Sequence, residues 1–313
     1  MKIVFMGTPD FAVPSLEALA ASGHEIPLVV TQPDRPRGRG QKVQPPPVKA
    51  RAVELGLRVA QPERIKRNED FFRQLAEIKP DLIVVAAYGK ILPGEIIALP
   101  AYGCVNIHAS LLPKYRGAAP IHRAVEAGEE VTGVTLMLMS EGLDEGDILD
   151  ARAVEIGESD TGRLHDLLAR AGAELLAADL DDLLAGRIRP VPQDGALATY
   201  APPVEKSEGQ VDFSADADRI VRKIRAMNPF PGAYAFLNSA KFKIRAARRA
   251  AVPGDGVRPG TVVFADKSGI GVAAGDGGVV VLDRVQLSGG RELAAADFLR
   301  GYELPPGTVL EWN

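Results

Sequence analysis

An amide and an imidazole stand two residues apart near the end of a short apolar segment. The segment from Cys104 to Ile107 is predicted to be a β-strand, and it places Asn106 and His108 at its end. Because strand side chains alternate between faces, the two side chains project from the same face, roughly 7 Å apart. An amide and an imidazole that point toward one place can stabilise an oxyanion and move a proton.

A carboxylate is expected near the same place. Asp144 lies in Gly142-Leu143-Asp144, after the predicted strand from Thr132 to Met139, where glycine lets the backbone turn sharply. Asn, His and Asp without a serine or cysteine nucleophile favour direct transfer between two bound reactants. Taken singly, each also has a structural explanation, as a satisfied buried histidine or a turn aspartate.

The first half of the chain is typical of the α/β class. Apolar segments alternate with amphipathic helices, which predicts a doubly wound, mostly parallel sheet covered on both faces. Ligands of such sheets bind beyond the carboxyl ends of the strands, where Asn106 and His108 are expected. The predicted strands are Lys2 to Met6, Ile26 to Thr31, Leu57 to Ala60, Leu82 to Ala87 and Cys104 to Ile107.

The second half changes character after a long amphipathic helix predicted from Thr161 to Leu184. A proline-rich stretch follows, and then short alternating strands separated by glycine-containing turns, a pattern that suits a small OB-like β-barrel. We therefore expect a catalytic domain at residues 1–188, a linker at 189–207 and an OB-like domain at 208–313.

The composition limits the class of protein. With 313 residues, 46% of them apolar, the chain is long enough for two hydrophobic cores. A single cysteine excludes an intramolecular disulfide framework and favours a reducing compartment, and four scattered histidines offer no spacing for a metal site. No signal peptide or membrane span is expected, because a strand begins at Lys2 and no apolar run is long enough. These features predict a cytoplasmic protein without a metal.

Two clusters of basic residues occur in this chain, although its formal net charge is −4. Residues 34–49 are predicted to form a long loop that becomes ordered when it binds a polyanion. The alternative is a solvated insertion without a partner. The predicted strand that begins at Lys241 and the basic helix from Ser214 to Met227 are predicted to bind phosphates. The alternative is a solvated surface strand. The candidate RNA-binding residues are Arg35, Arg37, Arg39, Lys42, Lys241, Lys243 and Arg245.

Several spaced motifs resemble the 10-formyltetrahydrofolate-dependent formyltransferases. The opening from Val4 to Phe11 and the loop from Gln32 to Gly40 are also similar, and the likeness runs nearly end to end, strongest from Lys2 to Asp147. The motifs are Asn106-x-His108, Ser110-Leu-Leu-Pro113, Tyr115-Arg-Gly-Ala-Ala-Pro120 and Gly142-Leu-Asp144.

The resemblance implies a Rossmann-like formyltransferase domain and an OB-like domain, with initiator methionyl-tRNA as the substrate. We expect the protein to be a monomer. The formyl group would pass from 10-formyltetrahydrofolate to the α-amino group of the methionine. Asn106 and a protonated His108 would hold the formyl oxygen while Asp144 orients His108 or a water. By the same resemblance, the basic loop contacts the tRNA acceptor arm. The folate site would be lined by Ser110, Leu111, Leu112 and Pro113, with Ile91 and Leu92 as further apolar contacts.

Other functions stay open at this point. A nucleotide-dependent oxidoreductase is disfavoured because the stretch from Gly7 to Phe11 lacks the three-glycine fingerprint. A formyl-folate hydrolase, or a formyltransferase for a small amine, could use the same three residues but would not explain the basic clusters. A non-catalytic tRNA-binding protein would not need those three residues together. Arg116 either binds a phosphate or the folate tail, or braces its own loop.

Overall fold

The computed structural model describes residues 1–37, 42–251 and 256–312. The chain divides into two compact units, each built from several stretches. Unit 1 comprises Met1–Pro120, Val131–Glu155 and His165–Ala201. Unit 2 comprises Ile121–Glu130, Ile156–Leu164 and Pro202–Asn313.

The regular elements are numbered here in chain order. The strands of unit 1 are β1 (Lys2–Gly7), β2 (Glu25–Val30), β3 (Arg35–Arg37), β4 (Lys42–Gln44), β5 (Val59–Ala60), β6 (Leu82–Ala86), β7 (Cys104–His108), β8 (Arg116–Gly117), β9 (Val131–Leu138), β10 (Ile148–Glu155) and β11 (Tyr200–Ala201). The strands of unit 2 are β12 (Ala233–Leu237), β13 (Ala240–Arg249), β14 (Val262–Asp266), β15 (Gly269–Ala273), β16 (Val279–Leu287) and β17 (Leu293–Ala294). The helices are α1 (Val13–Ala21), α2 (Pro47–Glu54), α3 (Glu69–Ile78), α4 (Gly94–Ile97), α5 (Pro120–Ala127), α6 (Thr161–Leu184), α7 (Ala217–Ala226) and α8 (Ala295–Leu299).

Unit 1 is built on a seven-stranded sheet in the order β10-β9-β7-β6-β1-β2-β5. The strands from β7 to β5 are parallel, whereas β9 and β10 pair antiparallel at the other side. The central strand β6 is apolar and buried throughout, and β1 is so after Lys2, as expected where both faces of a sheet are covered. The predicted α/β fold with a mostly parallel sheet is confirmed.

The carboxyl ends of the parallel strands form one edge of this sheet. Thr8 follows β1, Ala87 follows β6, and His108 is the last residue of β7. Because β6 lies between β7 and β1, these three positions are spaced by about 5 Å per strand along the edge. This edge therefore carries the residues expected to do chemistry.

The basic segment at residues 34–49 is more regular than the long loop that we expected. Its described part contains β3 and β4, which pair antiparallel with Arg35 opposite Gln44 and Pro36 opposite Val43. A two-stranded ribbon has only edge strands, so Pro36 can occupy one without breaking an interior ladder. The connection at residues 38–41, which includes Arg39, lies outside the described residues.

The proline-rich stretch expected to be a linker contributes backbone pairs to unit 1. Val191 exchanges two backbone hydrogen bonds with Ile148, each of 2.8 Å. Further along, β11 pairs parallel with β8. Its residues up to Ala201 therefore help to build the first unit.

Unit 2 is a small β structure whose sheet packs against α7 and α8. Its strands follow the order β12-β13-β16-β15-β14, with β17 beside β16. The C-terminal residues bridge both ends of this order, since Glu311 pairs with Phe236 in β12 and Val309 pairs with Thr261 beside β14. These bridges close the sheet on itself, and the expected β-rich C-terminal domain is confirmed.

Candidate active site

His108 is buried at the end of β7, with 6% of its surface exposed. Its Nε2 lies 2.9 Å from the backbone oxygen of Tyr115. A carbonyl oxygen only accepts hydrogen bonds, so Nε2 must carry the hydrogen. The other ring nitrogen, Nδ1, lies 3.6 Å from Oδ2 of Asp144. Nδ1 is therefore the ring atom that can accept or release a proton beside the carboxylate.

The Asp144 carboxylate is positioned by the backbone conformation of its residue and by a hydrogen bond from a nearby amide. Its φ is +50°, in the left-handed region that aspartate tolerates better than most residues. The Gly117 amide donates to Oδ2 over 2.8 Å. The structure thus brings His108 and Asp144 together, although they are 36 positions apart along the chain.

Asn106 lies on β7 two positions before His108 and is half-buried. Its neighbours across the sheet are Val85 in β6 and Met137 in β9. Strand alternation puts its amide on the same face as the imidazole. Since Nε2 of His108 is engaged with a backbone carbonyl, the amide of Asn106 is the better placed donor for a reacting oxygen.

The stretch from Ser110 to Pro113 is fastened to the sheet by a threonine that the sequence reasoning missed. Thr135 of β9 is fully buried, and its hydroxyl donates to the Ser110 carbonyl (2.7 Å) and accepts from the Leu112 amide (3.1 Å). The Ser110 hydroxyl donates to the Lys114 carbonyl over 2.6 Å. A polar residue inside a buried apolar strand was the signal that could have identified Thr135.

The two further candidates for apolar contact differ in environment. Leu92 is 2% exposed and belongs to the hydrophobic core, whereas Ile91 is 84% exposed. Leu92 is therefore a core residue, and Ile91 is the member of the pair that reaches solvent. Leu111 packs over Gly133, where an added Cβ would come within 2.5 Å of a Leu111 methyl carbon.

Arg116 braces its own loop. Its Nε and Nη2 donate to Oε1 of Gln193 over 3.1 and 2.8 Å, and its Nη1 lies 3.7 Å from a carboxylate oxygen of Glu145. Gln193 in turn donates from Nε2 to the backbone oxygens of Asp144 and Gly146, each over 2.8 Å. Of the two roles left open for Arg116, the bracing role matches these contacts.

Unit 1 also contains a cavity of about 580 Å³ whose lining includes none of Asn106, His108 and Asp144. It lies at the carboxyl ends of β1, β2 and β6. Arg35 and Lys90 give it positive charge, and the burial of Lys90 together with the charge of Arg35 lowers the pKa of the Lys90 amine. Its polar lining includes Thr8, Gln32, Arg35, Gln44 and Lys90.

The structure describes the other candidate RNA-binding residues of the basic segment at residues 34–49 only in part. Arg37 and Lys42 belong to the backbone of β3 and β4, but their side chains lie outside the described part of the structure. Arg39 lies outside the described residues altogether.

One face of the unit 2 sheet is basic and aromatic. Lys241, Lys243 and Arg245 alternate along β13 with buried Phe242 and Ile244. Lys241 places its Nζ 3.4 Å from the centroid of the Tyr234 ring, a cation–π contact.

The cations of this region are not equally available. Arg245 donates to Gln286 over 2.9 Å and lies 3.7 Å from Glu292. Among the residues that the structure describes, Lys241 and Lys243 form no ion pair. In α7, Lys223 pairs with Glu126 at 2.7 Å. The cations of that helix are therefore less free than the sequence suggested.

Within the described ranges, no three His, Cys, Asp or Glu residues are grouped so that they could hold a metal ion. Burial raises the pKa of the Cys104 thiol to about 12, which keeps it from acting as a thiolate nucleophile at neutral pH. In the same part of the chain, no helix is long and apolar enough to cross a bilayer.

Two family models match the sequence. The model described as "Formyl transferase" matches residues 1–178, and "Formyl transferase, C-terminal domain" matches residues 203–303. Methionyl-tRNA formyltransferases of Variovorax paradoxus and Moorella thermoacetica are each 50% identical to this chain. The first match covers 98% of both chains and the second covers 99% of both. The Bacillus subtilis protein of that name is 46% identical over 100% of this chain and 98% of its own.

Solved structures share the fold at lower identity. WlaRD, a sugar 3N-formyl transferase in the presence of dTDP and 5-N-formyl-THF, has a TM-score of 0.67 at 18% identity, covering 93% of this chain and 99% of its own. HypX from Aquifex aeolicus in complex with tetrahydrofolic acid has a TM-score of 0.62 at 20% identity, covering 98% of this chain and 49% of its own. The chain belongs to the formyl transferase family, in the group of the methionyl-tRNA formyltransferases.

Proposed function

We propose that this protein transfers the formyl group of 10-formyltetrahydrofolate to the α-amino group of initiator methionyl-tRNA. The observation that carries the proposal is the match, over at least 98% of the chain, to methionyl-tRNA formyltransferases that are 46% to 50% identical to it. The pairing of His108 with Asp144 at the carboxyl edge of the sheet supports it.

The transfer requires that one atom gain negative charge and that two protons be transferred. The folate supplies the formyl group on N10. When the amine adds to the formyl carbon, negative charge develops on the formyl oxygen, the amine sheds a proton, and N10 gains a proton as its bond to carbon breaks. A hydrogen-bond donor at the oxygen and a proton carrier near the two nitrogens are therefore needed.

Asn106 is the proposed donor to the formyl oxygen. Its amide lies on the sheet face that carries His108, and it requires no change of charge to donate. Losing one donor to a developing oxyanion costs on the order of 3 kcal/mol of activation free energy.

His108 and Asp144 are the proposed proton carriers. Nδ1 and Oδ2 lie 3.6 Å apart, longer than a direct hydrogen bond, so the amine or a water can bond to both atoms. The tyrosine carbonyl fixes the ring from its other nitrogen, and the Gly117 amide fixes the carboxylate. The proton can thus pass between groups that are already in position.

The pterin is proposed to bind against Ser110, Leu111, Leu112 and Pro113. The two Thr135 hydrogen bonds hold that stretch rigid, and exposed Ile91 supplies an apolar surface at the same edge. Leu92, the other proposed apolar contact, belongs to the hydrophobic core.

The tRNA is proposed to contact basic surfaces in each unit. In unit 1, the cavity with Arg35 and Lys90 suits phosphates, and Arg37, Arg39 and Lys42 are proposed to extend this surface. In unit 2, Lys241 and Lys243 beside Tyr234 combine phosphate contacts with an aromatic ring for stacking, and Arg245 is proposed as a further phosphate contact.

We also propose a catalytic domain at residues 1–188, a linker at 189–207 and an RNA-binding domain at 208–313. The protein is proposed to be a monomer in the cytoplasm.

One assay separates the candidate functions. The protein is incubated with formyl-folate and with charged initiator tRNA, free methionine or water as the acceptor. Formyl-methionine formed only on tRNA supports the proposal, whereas formate released without tRNA indicates a hydrolase. Transfer to free methionine indicates a small-amine formyltransferase, and tRNA retention without transfer indicates a binding protein.

A variant pair tests the oxyanion donor in the same assay. Asn106→Ala is expected to lower kcat about 100-fold while tRNA retention stays unchanged. Asn68→Asp, which keeps a side-chain oxygen at the N-cap of α3, is the control and should retain its rate. An Asn106→Ala protein with most of its kcat would remove Asn106 from the mechanism.

A further inference from the structure

We infer that Gln193 is a positioning residue that holds the Asp144 turn in its reactive geometry. The inference rests on the proposed formyl transfer and adds a residue that none of the sequence motifs includes. Gln193 lies in the proline-rich stretch expected to be a linker, more than 40 positions beyond Asp144. Its contacts, rather than its place in the sequence, point to the role.

Both ends of the Gln193 amide are engaged. Nε2 donates to the backbone oxygens of Asp144 and Gly146, each over 2.8 Å. Oε1 accepts two hydrogen bonds from the Arg116 guanidinium. One side chain therefore ties the turn that bears the carboxylate to the strand that begins with Arg116.

The turn needs such a tie because its own sequence does not fix it. Glycines 142 and 146 flank it, and Leu143 and Glu145 both have more than half of their side-chain surface exposed. Asp144 itself has a left-handed φ of +50°, which costs a non-glycine residue roughly 1 kcal/mol. Without outside contacts, this turn would sample other conformations.

The two anchors of Asp144 come from adjacent residues of β8. The Gly117 amide donates to its carboxylate, while the Arg116 side chain holds Gln193, which holds its carbonyl. The carboxylate and the backbone of Asp144 are thus both positioned by residues of the same short strand, β8. His108 is positioned next to that strand as well, because its Nε2 donates to the backbone oxygen of Tyr115, the residue before Arg116.

The segment that carries Gln193 is itself attached to unit 1 on both sides. Val191 exchanges backbone hydrogen bonds with Ile148, and the Thr199 hydroxyl and carbonyl accept from the Tyr115 and Arg116 amides over 2.8 and 2.9 Å. Gln193 is therefore a fixed support.

The chemistry of the contacts accounts for the residue type. The role needs one group that donates two hydrogen bonds and accepts two, which a side-chain carboxamide supplies. Glutamate has the same shape and would keep the bond to Arg116, but as a carboxylate it cannot donate to two carbonyls. Methionine has a similar length and would lose both kinds of bond.

Removing the donors should affect the chemical step more than binding. Misplacing a reacting group by about 1 Å can cost on the order of 100-fold in rate. We expect Gln193→Glu and Gln193→Met to lower kcat by about 10- to 100-fold, with KM for both substrates within about twofold of wild type. A residue that merely filled space would tolerate both changes, and one that acted only through Arg116 would tolerate glutamate.

The matched control is the next residue. Asp194 caps the short helical turn at Gly195–Leu197 by accepting from the Ala196 amide over 2.9 Å. Asp194→Ala removes a hydrogen bond from the same segment without touching the Asp144 turn, and it should keep the wild-type kcat.

A second readout does not depend on activity. The chain has four histidines, so the ring nitrogens of His108 can be assigned in ¹⁵N-histidine-labelled protein by comparison with His108→Asn. In both Gln193 variants the Nδ1 resonance should shift, because the Asp144 carboxylate leaves its place. Asp194→Ala should leave this resonance unchanged.

The outcomes separate this inference from the proposed function. Wild-type protein without transfer to methionyl-tRNA would defeat the function, while a Gln193-dependent Nδ1 resonance would still support the positioning role. Active wild type with unchanged kcat and Nδ1 resonance in both Gln193 variants would overturn the inference. A Gln193→Glu protein as active as wild type would also overturn it, because the role requires the amide donors.

Discussion

At the scale of single residues, the candidate site is defined by which hydrogen bonds are already in use. The Nε2 of His108 is engaged with a carbonyl, and one oxygen of Asp144 is engaged with the Gly117 amide. These bonds leave Nδ1 and the charge of the carboxylate for the reaction. The roles proposed for His108 and Asp144 rest on these contacts.

The charge of Asp144 can be tested separately from its shape. Asn keeps an oxygen for the Gly117 amide and tolerates the left-handed φ of +50°, so Asp144→Asn should fold as wild type. It should nonetheless lose about 100-fold or more in kcat, because no carboxylate faces Nδ1. Steady-state kinetics and thermal unfolding measure the two effects.

Asp144→Ala is the companion variant. It loses the acceptor and places alanine at a strained φ, so it should lose thermal stability as well as kcat. An Asp144→Asn protein with a kcat near wild type would show that the carboxylate charge is not needed.

At the scale of elements, β9 positions the proposed folate loop although it supplies no reacting group. Thr135 bonds to the backbone on both sides of Leu111, and its hydroxyl is fully buried. The loop therefore depends on a strand that the reaction itself would not touch.

Thr135→Val should loosen that loop. The change keeps the shape but leaves the Ser110 carbonyl and the Leu112 amide unpaired, which costs about 1 to 3 kcal/mol of unfolding free energy. KM for formyl-folate should rise because the loop is less ordered. Urea denaturation and steady-state kinetics measure these effects.

Thr135→Ser keeps the hydroxyl and is the matched control. It should restore the folate KM even if the lost methyl group lowers stability. Equal folate KM values for the serine and valine variants would contradict the role assigned to the hydroxyl.

A second element-scale contact holds parts of unit 2 together. Arg123 donates to both carboxylate oxygens of Glu208, over 2.6 and 3.1 Å. The Arg123 hydrogen bonds lower the pKa of Glu208 from 4.5 to about 2. The segments around α5 and around residue 208 are therefore linked by charge.

This contact predicts a pH dependence of stability. A lowered pKa in the folded state means that Glu208 stabilises unit 2 above about pH 4.5 and that this contribution disappears as the pH falls toward 2. Glu208→Gln should therefore cost about 1 to 2 kcal/mol at pH 7, and the difference from wild type should shrink between pH 4.5 and 2.

Urea unfolding at a series of pH values measures this difference. Glu303→Gln, which changes an exposed carboxylate in unit 2, is the control and should follow wild type throughout. A cost for Glu208→Gln that stays constant down to pH 2 would contradict the ion-pair explanation.

At the scale of the whole molecule, an acidic chain would have to bind an acidic partner through local surfaces. The net charge is −4, yet Lys241 and Lys243 share one face of the unit 2 sheet with Tyr234. Burial, and after it the neighbouring charge of Lys243, lowers the pKa of the Lys241 amine. The local field, rather than the total charge, decides whether RNA binds.

Reversing these two charges should weaken tRNA capture in a salt-dependent way. Each phosphate contact adds roughly 0.7 to 0.9 to the slope of log K against log salt, so Lys241→Glu with Lys243→Glu should flatten that slope by about 1 to 2. Filter retention of tRNA at several salt concentrations measures the slope.

The control makes the same change of charge elsewhere in unit 2. Lys267→Glu with Arg300→Glu alters exposed positions and should leave the slope near that of wild type. If both double variants changed the slope equally, total charge rather than the basic face would be responsible.

Much of the fold could be predicted because its signals are local. The helix from Thr161 to Leu184 has the predicted bounds. The apolar runs of β1, β2, β6 and β7 were recognisable because both of their faces are buried. The hairpin within residues 34–49 and the pairing of β8 with β11 were missed, because two-residue and three-residue strands carry almost no periodic signal.

The sequence by itself determined which residue types were present for the chemistry: an amide and an imidazole two positions apart, and a carboxylate after a glycine turn. Only the tertiary structure decided how the imidazole and the carboxylate are held, through Tyr115, Gly117 and Gln193. The physical reason is that spacing along a strand is fixed by local geometry. A hydrogen bond from Gln193 to the Asp144 backbone depends instead on two distant segments folding against the same sheet.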